Sequence, residues 1–156
     1  MQITIKEYKK GFSEHIKYID RQTFNECTKS DQQIDDTALN YGNKVFIAFY
    51  GEKAVGFISL LKAETLNYSG YWIDLIAVLP QFRGYSIAGM LIKKAYEYSE
   101  SKNSEILTAL IRINNIPSRK AFEKEKFAPS ENDFKIYSKD ISRGGKDAVQ
   151  TNGKNE

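Results

Sequence analysis

Residues 73–91 read Ile73-Asp74-Leu-Ile76-Ala77-Val78-Leu-Pro80-Gln-Phe-Arg83-Gly84-Tyr85-Ser86-Ile87-Ala88-Gly89-Met-Leu91, and this stretch decides the fold. An apolar strand runs into a proline. A short basic turn containing glycine follows, and an amphipathic helix opens directly after it. Such a junction presents unpaired backbone N–H groups and the positive end of a helix dipole to an anion. Arg83 stands in the turn, where its guanidinium can add a charge-assisted contact to a phosphate. The stretch therefore predicts a strand-turn-helix unit built for a phosphorylated ligand.

Two familiar phosphate loops fail on specific residues. Gly84 and Gly89 have the separation of a G-x-x-x-x-G-K-S/T loop, but Met90 and Leu91 stand where Lys and Ser or Thr are needed. The dinucleotide pattern G-x-G-x-x-G is broken, because Ser86 stands at its second glycine between Gly84 and Gly89. What remains, Arg83-Gly84-Tyr85-Ser86-Ile87-Ala88, resembles the pyrophosphate loop R/Q-x-x-G-x-G/A of the GNAT superfamily of acetyl-CoA-dependent N-acyltransferases, with Ser86 at the central glycine. A second segment, Asn115-Ile-Pro-Ser118-Arg-Lys-Ala121-Phe122-Glu-Lys-Glu-Lys126-Phe127, is similar to the later motif N-x-x-A/S-x-x-L-Y-x-x-x-G-F. Asn115, Ser118, Phe122 and Phe127 fall in register, while Ala121, Phe122 and Lys126 replace Leu, Tyr and Gly. A third feature, the hairpin pattern over residues 45–61, suits the strands that precede such a loop.

The resemblance covers roughly residues 1–141 and implies an α/β (α+β) fold of GNAT type. A central mixed, mostly antiparallel sheet is flanked by helices, with strands that splay at the cofactor site. Composition agrees with one small enzyme domain, since 156 residues suffice for a substantial core. No apolar run is long enough to span a bilayer, and the chain opens on an alternating strand rather than a signal peptide. Cys27 is the only cysteine, so no intramolecular disulfide forms and a reducing, cytoplasmic setting is expected. A net charge of +3 reads as a solubility property, without the clustered Arg and Lys of a nucleic-acid footprint. Neither nucleic acid nor membrane is an expected partner, and a homodimer is left open.

Periodicity supplies the remaining elements. Residues 2–8 alternate as an opening strand. Ser13 is the expected N-cap of a first helix, and Asp31 that of a second with Ile34, Ala38 and Leu39 on its apolar face. Residues 71–79 form the strand before the loop. Ile87, Met90, Leu91, Ala95 and Tyr98 define the apolar stripe of the helix after it. Residues 106–113 read as a buried strand, Pro117 sits in the first turn of the next helix, and residues 134–141 alternate as a last strand. Residues 142–156 are polar and predicted to be disordered.

Transferring an acetyl group from a thioester to an amine requires a held cofactor, a neutral amine, a stabilised carbonyl oxygen and a departing thiolate. By resemblance, the N–H groups of Gly84, Tyr85, Ser86, Ile87 and Ala88 hold the diphosphate with Arg83. Asn115, Ser118 and Phe122 complete the acetyl-CoA site. Ser86 can donate a hydrogen bond or act simply as the helix N-cap. Backbone N–H groups of Ile76, Ala77 and Val78 are the expected carbonyl donors, with Val78 the first choice; such contacts contribute about 3 kcal/mol each.

Asp74 is the candidate base. A lone carboxylate in an apolar strand is costly unless hydrogen-bonded or functional, and burial would raise its pKa. An anchor for the substrate's positive charge and a purely structural carboxylate are the alternatives. Asp31 and Asp35, with Glu26 and Asp36, suggest a negative mouth for a small cationic amine, though a solvated helix face explains them too. Phe122 stands where the superfamily often has a Tyr near the departing sulfur, and a phenyl ring cannot donate a proton; Tyr137 is a candidate substitute. Cys27 and His15 lack a third orienting group, leaving a buried cysteine and a surface histidine as the expectation. No spacing suits a metal. The sequence thus points to an N-acetyltransferase for a small amine. A CoA-binding regulatory module that has lost turnover and a peptide or protein N-acetyltransferase are the rival readings.

Overall fold

The computed structural model describes residues 2–130 and 136–138. Its centre is one five-stranded sheet in the order β1 (Ile3–Glu7), β2 (Lys44–Tyr50), β3 (Lys53–Glu64), β4 (Ser69–Val78) and β5 (Ile106–Ala109). Strands β1 to β4 are antiparallel neighbours, and β5 lies parallel to β4. The mixed character follows from the connections. A tight turn at Gly51, with φ of +59°, joins β2 to β3, whereas β4 reaches β5 through the crossover helix α3 (Ile87–Ser101).

The run Val45-Phe-Ile-Ala-Phe49 in β2 is buried at every residue, which requires cover on both faces. Helix α1 (Ser13–Thr23) supplies one face: Phe12, at its start, and His15 pack edge-on against Phe49 with centroids 5.9 and 5.3 Å away. Helix α3 supplies the other, where Tyr98 meets Phe46 at 5.7 Å. Phe46 and Phe49 have opposite parity in the strand, so the two helices lie on opposite faces. Helix α2 (Asp31–Leu39) packs beside α1, and α4 (Ile116–Lys124) beside α3. The largest wholly buried side chains include Ile47, Ile58, Leu60, Leu79, Leu91 and Ile92. Burying each such aliphatic group contributes roughly 1.5–3 kcal/mol.

Several expectations shift. Ser30, rather than Asp31, caps α2: its Oγ accepts from the Gln33 N–H at 3.3 Å while its own N–H donates to Gln33 Oε1 at 2.9 Å. Ser13 is the buried first residue of α1, and Phe12 holds the cap position without a side-chain bond. In α3 the apolar stripe takes Ile92 inward and leaves Met90 exposed. The expected long buried strand at 106–113 stops at Ala109 and is only half-buried. Cys27 is exposed and His15 is half-buried among aromatic rings, the reverse of the expectation. The expected final strand and tail lie outside the described residues, except for 136–138, which carry no regular structure.

Candidate active site

The site begins with a break in one strand. Leu60 pairs with Ile73 and Ser59 pairs with Leu75, so Asp74 is the extra residue of a β-bulge. The bulge interrupts alternation and leaves Asp74 and Leu75 exposed side by side. It also marks where β4 loses a neighbour, because β5 pairs with Gly70, Tyr71, Trp72 and Ile73 and with nothing beyond. Among the described residues, 74–78 thus have β3 on one side and an open edge on the other.

Hydrogen-bond parity decides which backbone groups face that edge. Leu79 donates its N–H to the Val55 carbonyl at 2.9 Å, and the Phe57↔Ala77 pair lies two residues along the same register. In an antiparallel ladder alternate residues bond to the same neighbour, so Ala77 is committed to β3 while Ile76 and Val78 face the open edge. The expectation of three donors is thereby corrected: Ala77 is excluded by register, and Ile76 and Val78 remain. The Val78 carbonyl, on that same edge, accepts from Arg83 Nε at 3.3 Å. The arginine of the loop is therefore tied to the strand it follows.

Beyond Val78 the chain makes a single 3₁₀ turn over Pro80–Phe82 and enters the loop. The N–H groups of Gly84, Tyr85, Ser86, Ile87, Ala88 and Gly89 donate to no group among the described residues. Met90 is the first to bond, to the Ser86 carbonyl at 3.0 Å. Gly84 (φ +83°) has no other atom within 4 Å of where a Cβ would sit, so open space lies before the loop. This row of free donors, the helix dipole behind it and the exposed Arg83 fit the diphosphate of CoA.

Ser86 occupies the N-cap position of α3 in the left-handed region (φ +60°, ψ +16°) and makes no side-chain cap bond. Lys126 has φ +65°. Both replace a glycine of the family pattern, and both keep the backbone conformation that glycine would adopt most easily. Opposite the loop, Glu125 Oε1 lies 2.7 Å from where a Cβ on Gly89 would be, so α4 approaches α3 closely there.

Helix α4 opens with Asn115, whose Oδ1 accepts the Ser118 N–H at 3.2 Å. Both residues are joined in a helix cap, with Pro117 in the first turn as expected. The Phe122 ring is only 4% exposed and packs edge-on against Phe127, centroids 5.2 Å apart. Its apolar setting explains why a phenyl ring stands there. Tyr137 is 89% exposed and contributes no described contact to the site.

The carboxylates part company. Asp35 is buried, and its Oδ1 accepts the Tyr8 hydroxyl at 2.5 Å; burial, together with this partner, pushes the Tyr8 phenol up from its ordinary value. The pair ties α2 to the end of β1, so Asp35 faces inward rather than a substrate. Asp31 is exposed, but Lys17 Nζ lies 2.5 Å from Oδ1 and holds its carboxyl below the ordinary range. Asp36 accepts from Gln32 Nε2 at 2.8 Å. The negative mouth expected from these residues does not assemble.

Asp74 differs from all of them. No hydrogen bond or ion pair engages its carboxylate among the described residues. Desolvation is what pushes its carboxyl above the ordinary aspartate value. The expectation of burial is corrected, since the residue keeps an open surface.

Sequence reasoning missed Asp20. Its buried Oδ2 accepts the N–H groups of Glu26 and Cys27 at 3.0 and 2.8 Å and so shapes the connection from α1 to α2. A carboxylate beside Ile19 and Thr23 on the inward side of a helix was the available signal. A depression of about 370 Å³ lined by Ile5, Phe46, Lys94 and Tyr98 lies along the later turns of α3, away from the loop at its start. It shares no residue with the site. Among the described residues no cluster of His, Cys, Asp or Glu could hold a metal.

With this geometry in place, the comparisons with known proteins are decisive for the family. Residues 9–127 match the family model of the acetyltransferase (GNAT) family, and the chain belongs to that family. It is an acetyl-CoA-dependent N-acyltransferase. The fold is shared with AAC(6')-Iy, solved with the bisubstrate analog CoA-S-monomethyl-acetylneamine: TM-score 0.75, 20% identity, covering 88% of this chain and 99% of that one. An aminoglycoside acetyltransferase from an uncultured soil metagenomic sample, in complex with trehalose, gives a TM-score of 0.77 at 14% identity over 87% and 95% of the two chains. A ribosomal-protein-alanine N-acetyltransferase from Brucella melitensis gives 0.69 at 16% identity over 86% and 98%. No curated sequence matches the chain. Among the described residues no helix is long and apolar enough to cross a membrane.

Proposed function

We propose that this enzyme acetylates a primary amine of a small cationic molecule, with Asp74 receiving the amine. One observation carries the reading: the unpaired Asp74 carboxylate stands at the bulge, immediately before the open-edge residues Ile76 and Val78. When bound, acetyl-CoA supplies the activated acetyl group. The loop N–H groups and Arg83 orient its diphosphate, and the N–H groups of Ile76 and Val78 offer hydrogen bonds to the acetyl oxygen. Asp74 attracts the ammonium and accepts its proton, directly or through water, so that the nitrogen becomes nucleophilic. The crowding that raises its pKa makes it a better proton acceptor than an ordinary aspartate. Residues 75–78 at this edge carry no hydroxyl, thiol or amine, which supports direct transfer.

The low identity of the aminoglycoside and ribosomal-protein enzymes leaves the acceptor to experiment. The test is thiol release from acetyl-CoA with neamine, 1,4-diaminobutane and an N-terminal alanine peptide. Turnover confined to the small cations is expected. Turnover confined to the peptide overturns the acceptor class. Absence of turnover with all three, while calorimetry shows CoA bound, favours the non-catalytic reading suggested by Phe122.

A further inference from the structure

Close to Asp74 in the chain stands an aromatic pair, Trp72 and Tyr68, for which the reaction so far has no use. Tyr71 meets Tyr98 of α3 at 5.4 Å, so Tyr71 and Ile73 face α3, and Trp72 faces the other way. Alternation ends at the bulge, and Asp74 follows Trp72 by two residues, exposed beside Leu75. The indole is held in place: its Nε1 donates to the Tyr68 hydroxyl at 3.2 Å. Both residues are half-buried, which leaves aromatic surface open.

Charge distribution distinguishes this pair. Lysines stand within 6.0 Å of the rings of Phe12, Tyr18, Phe46, Phe49, Tyr71, Phe82 and Tyr98. Among the described residues none stands over Trp72 or Tyr68. The carboxylate two residues away is unpaired as well. An aromatic face and a carboxylate without protein cations, side by side on one strand, are complementary to a ligand that brings two positive charges.

Resting on the reading of Asp74 as the amine's receptor, we propose that Trp72, braced by Tyr68, is a second cation subsite that selects diamine or polyamine acceptors. Two residues of an extended chain span at most about 7 Å, so Trp72 and the bulged Asp74 lie within that distance. With bonds of about 1.5 Å, an extended four-carbon diamine separates its nitrogens by about 6 Å, which matches. One nitrogen meets Asp74 and is acetylated. The other keeps its proton and lies against the indole.

The experiment is calorimetric titration of the CoA-loaded protein with 1,4-diaminobutane and with butylamine, which has the same chain and one charge. The diamine should bind about tenfold more tightly. Trp72→Leu should weaken the diamine about five- to twentyfold and butylamine less than twofold, with CoA affinity unchanged. Trp72→Phe keeps an aromatic face and should retain part of the preference. Equal affinity for the two amines, or equal loss of both in Trp72→Leu, overturns the subsite. Because binding is read without turnover, a Trp72-dependent diamine preference in a protein that transfers no acetyl group would sustain the subsite while refuting the proposed reaction.

Discussion

The two halves of β4, Ser-Gly-Tyr-Trp-Ile and Asp-Leu-Ile-Ala-Val, have opposite tasks. Residues 69–73 are held by β3 on one side and β5 on the other, whereas residues 74–78 are held by β3 alone. The bulge at Asp74 divides them. In the first half Gly70 to Ile73 each pair with a residue of β5. In the second, Ile76 and Val78 keep theirs available, and the Val78 carbonyl engages Arg83. A strand can therefore be structural at one end and chemical at the other, provided that something stops its neighbour. Here β5 stops at Ala109.

The paired half should be the more fragile. A Cβ on Gly70 would stand 2.1 Å from the Ile106 carbonyl oxygen and 3.0 Å from its carbon. Those are backbone atoms of the adjoining strand and cannot turn aside. Gly70→Ala should cost about 3 kcal/mol or more and lower the melting temperature sharply. A melting temperature equal to wild type would show that β4 and β5 are not tightly paired there, and the contrast would collapse.

The open half should respond through binding instead. Arg83→Glu removes the contact to Val78 and places a carboxylate beside the diphosphate, so CoA affinity should fall about fiftyfold while stability is retained. Calorimetry with CoA checks this. Unchanged affinity would mean that the free N–H groups alone hold the anion.

Asp74→Asn should be intermediate. Turnover should fall about tenfold at pH below the acceptor's own pKa, where the amine arrives protonated. In wild type the rate should drop as pH falls through the raised Asp74 value, and this limb should vanish in the variant. A rise in the Michaelis constant alone would make Asp74 an anchor rather than a base. The stability sign is opposite to that of a paired aspartate. With its folded pKa raised, the group favours the fold below its unfolded value and loses that contribution as pH rises through the folded value. At neutral pH the variant should melt no lower than wild type.

Ser86→Gly should have the smallest effect. It relieves a left-handed residue worth about 1–2 kcal/mol, but glycine gains unfolded-state freedom, so the net gain should be below about 1 kcal/mol. A loss of CoA affinity would show that the Ser86 hydroxyl contacts the diphosphate, which would sharpen the role of the loop.

Much of this was legible from residue pattern. The run of apolar residues into Pro80, the basic glycine turn and the helical stripe after Ile87 predict the strand-turn-helix unit, and α3 begins at the residue expected. The hairpin over β2 and β3 was equally clear, because local alternation and a tight turn need no distant partner. Single acidic residues were not. Asp31 and Asp35 look alike in the chain, yet one is neutralised by Lys17 and the other is bound by Tyr8 from 27 residues away, while Asp74 is left alone.

The amino-acid sequence by itself determined the order of elements, the anion-binding junction and the family resemblance, since these depend on periodicity and spacing along one segment. Tertiary structure alone decided that Ala77 is spent while Ile76 and Val78 are open, that Phe122 is packed against Phe127, and that Asp74, unlike Asp31 and Asp35, has no partner among the described residues. Each of those depends on register between strands or on which distant group arrives. A one-residue bulge reverses which way every later N–H points, and no pattern within β4 records where its neighbour slips or ends.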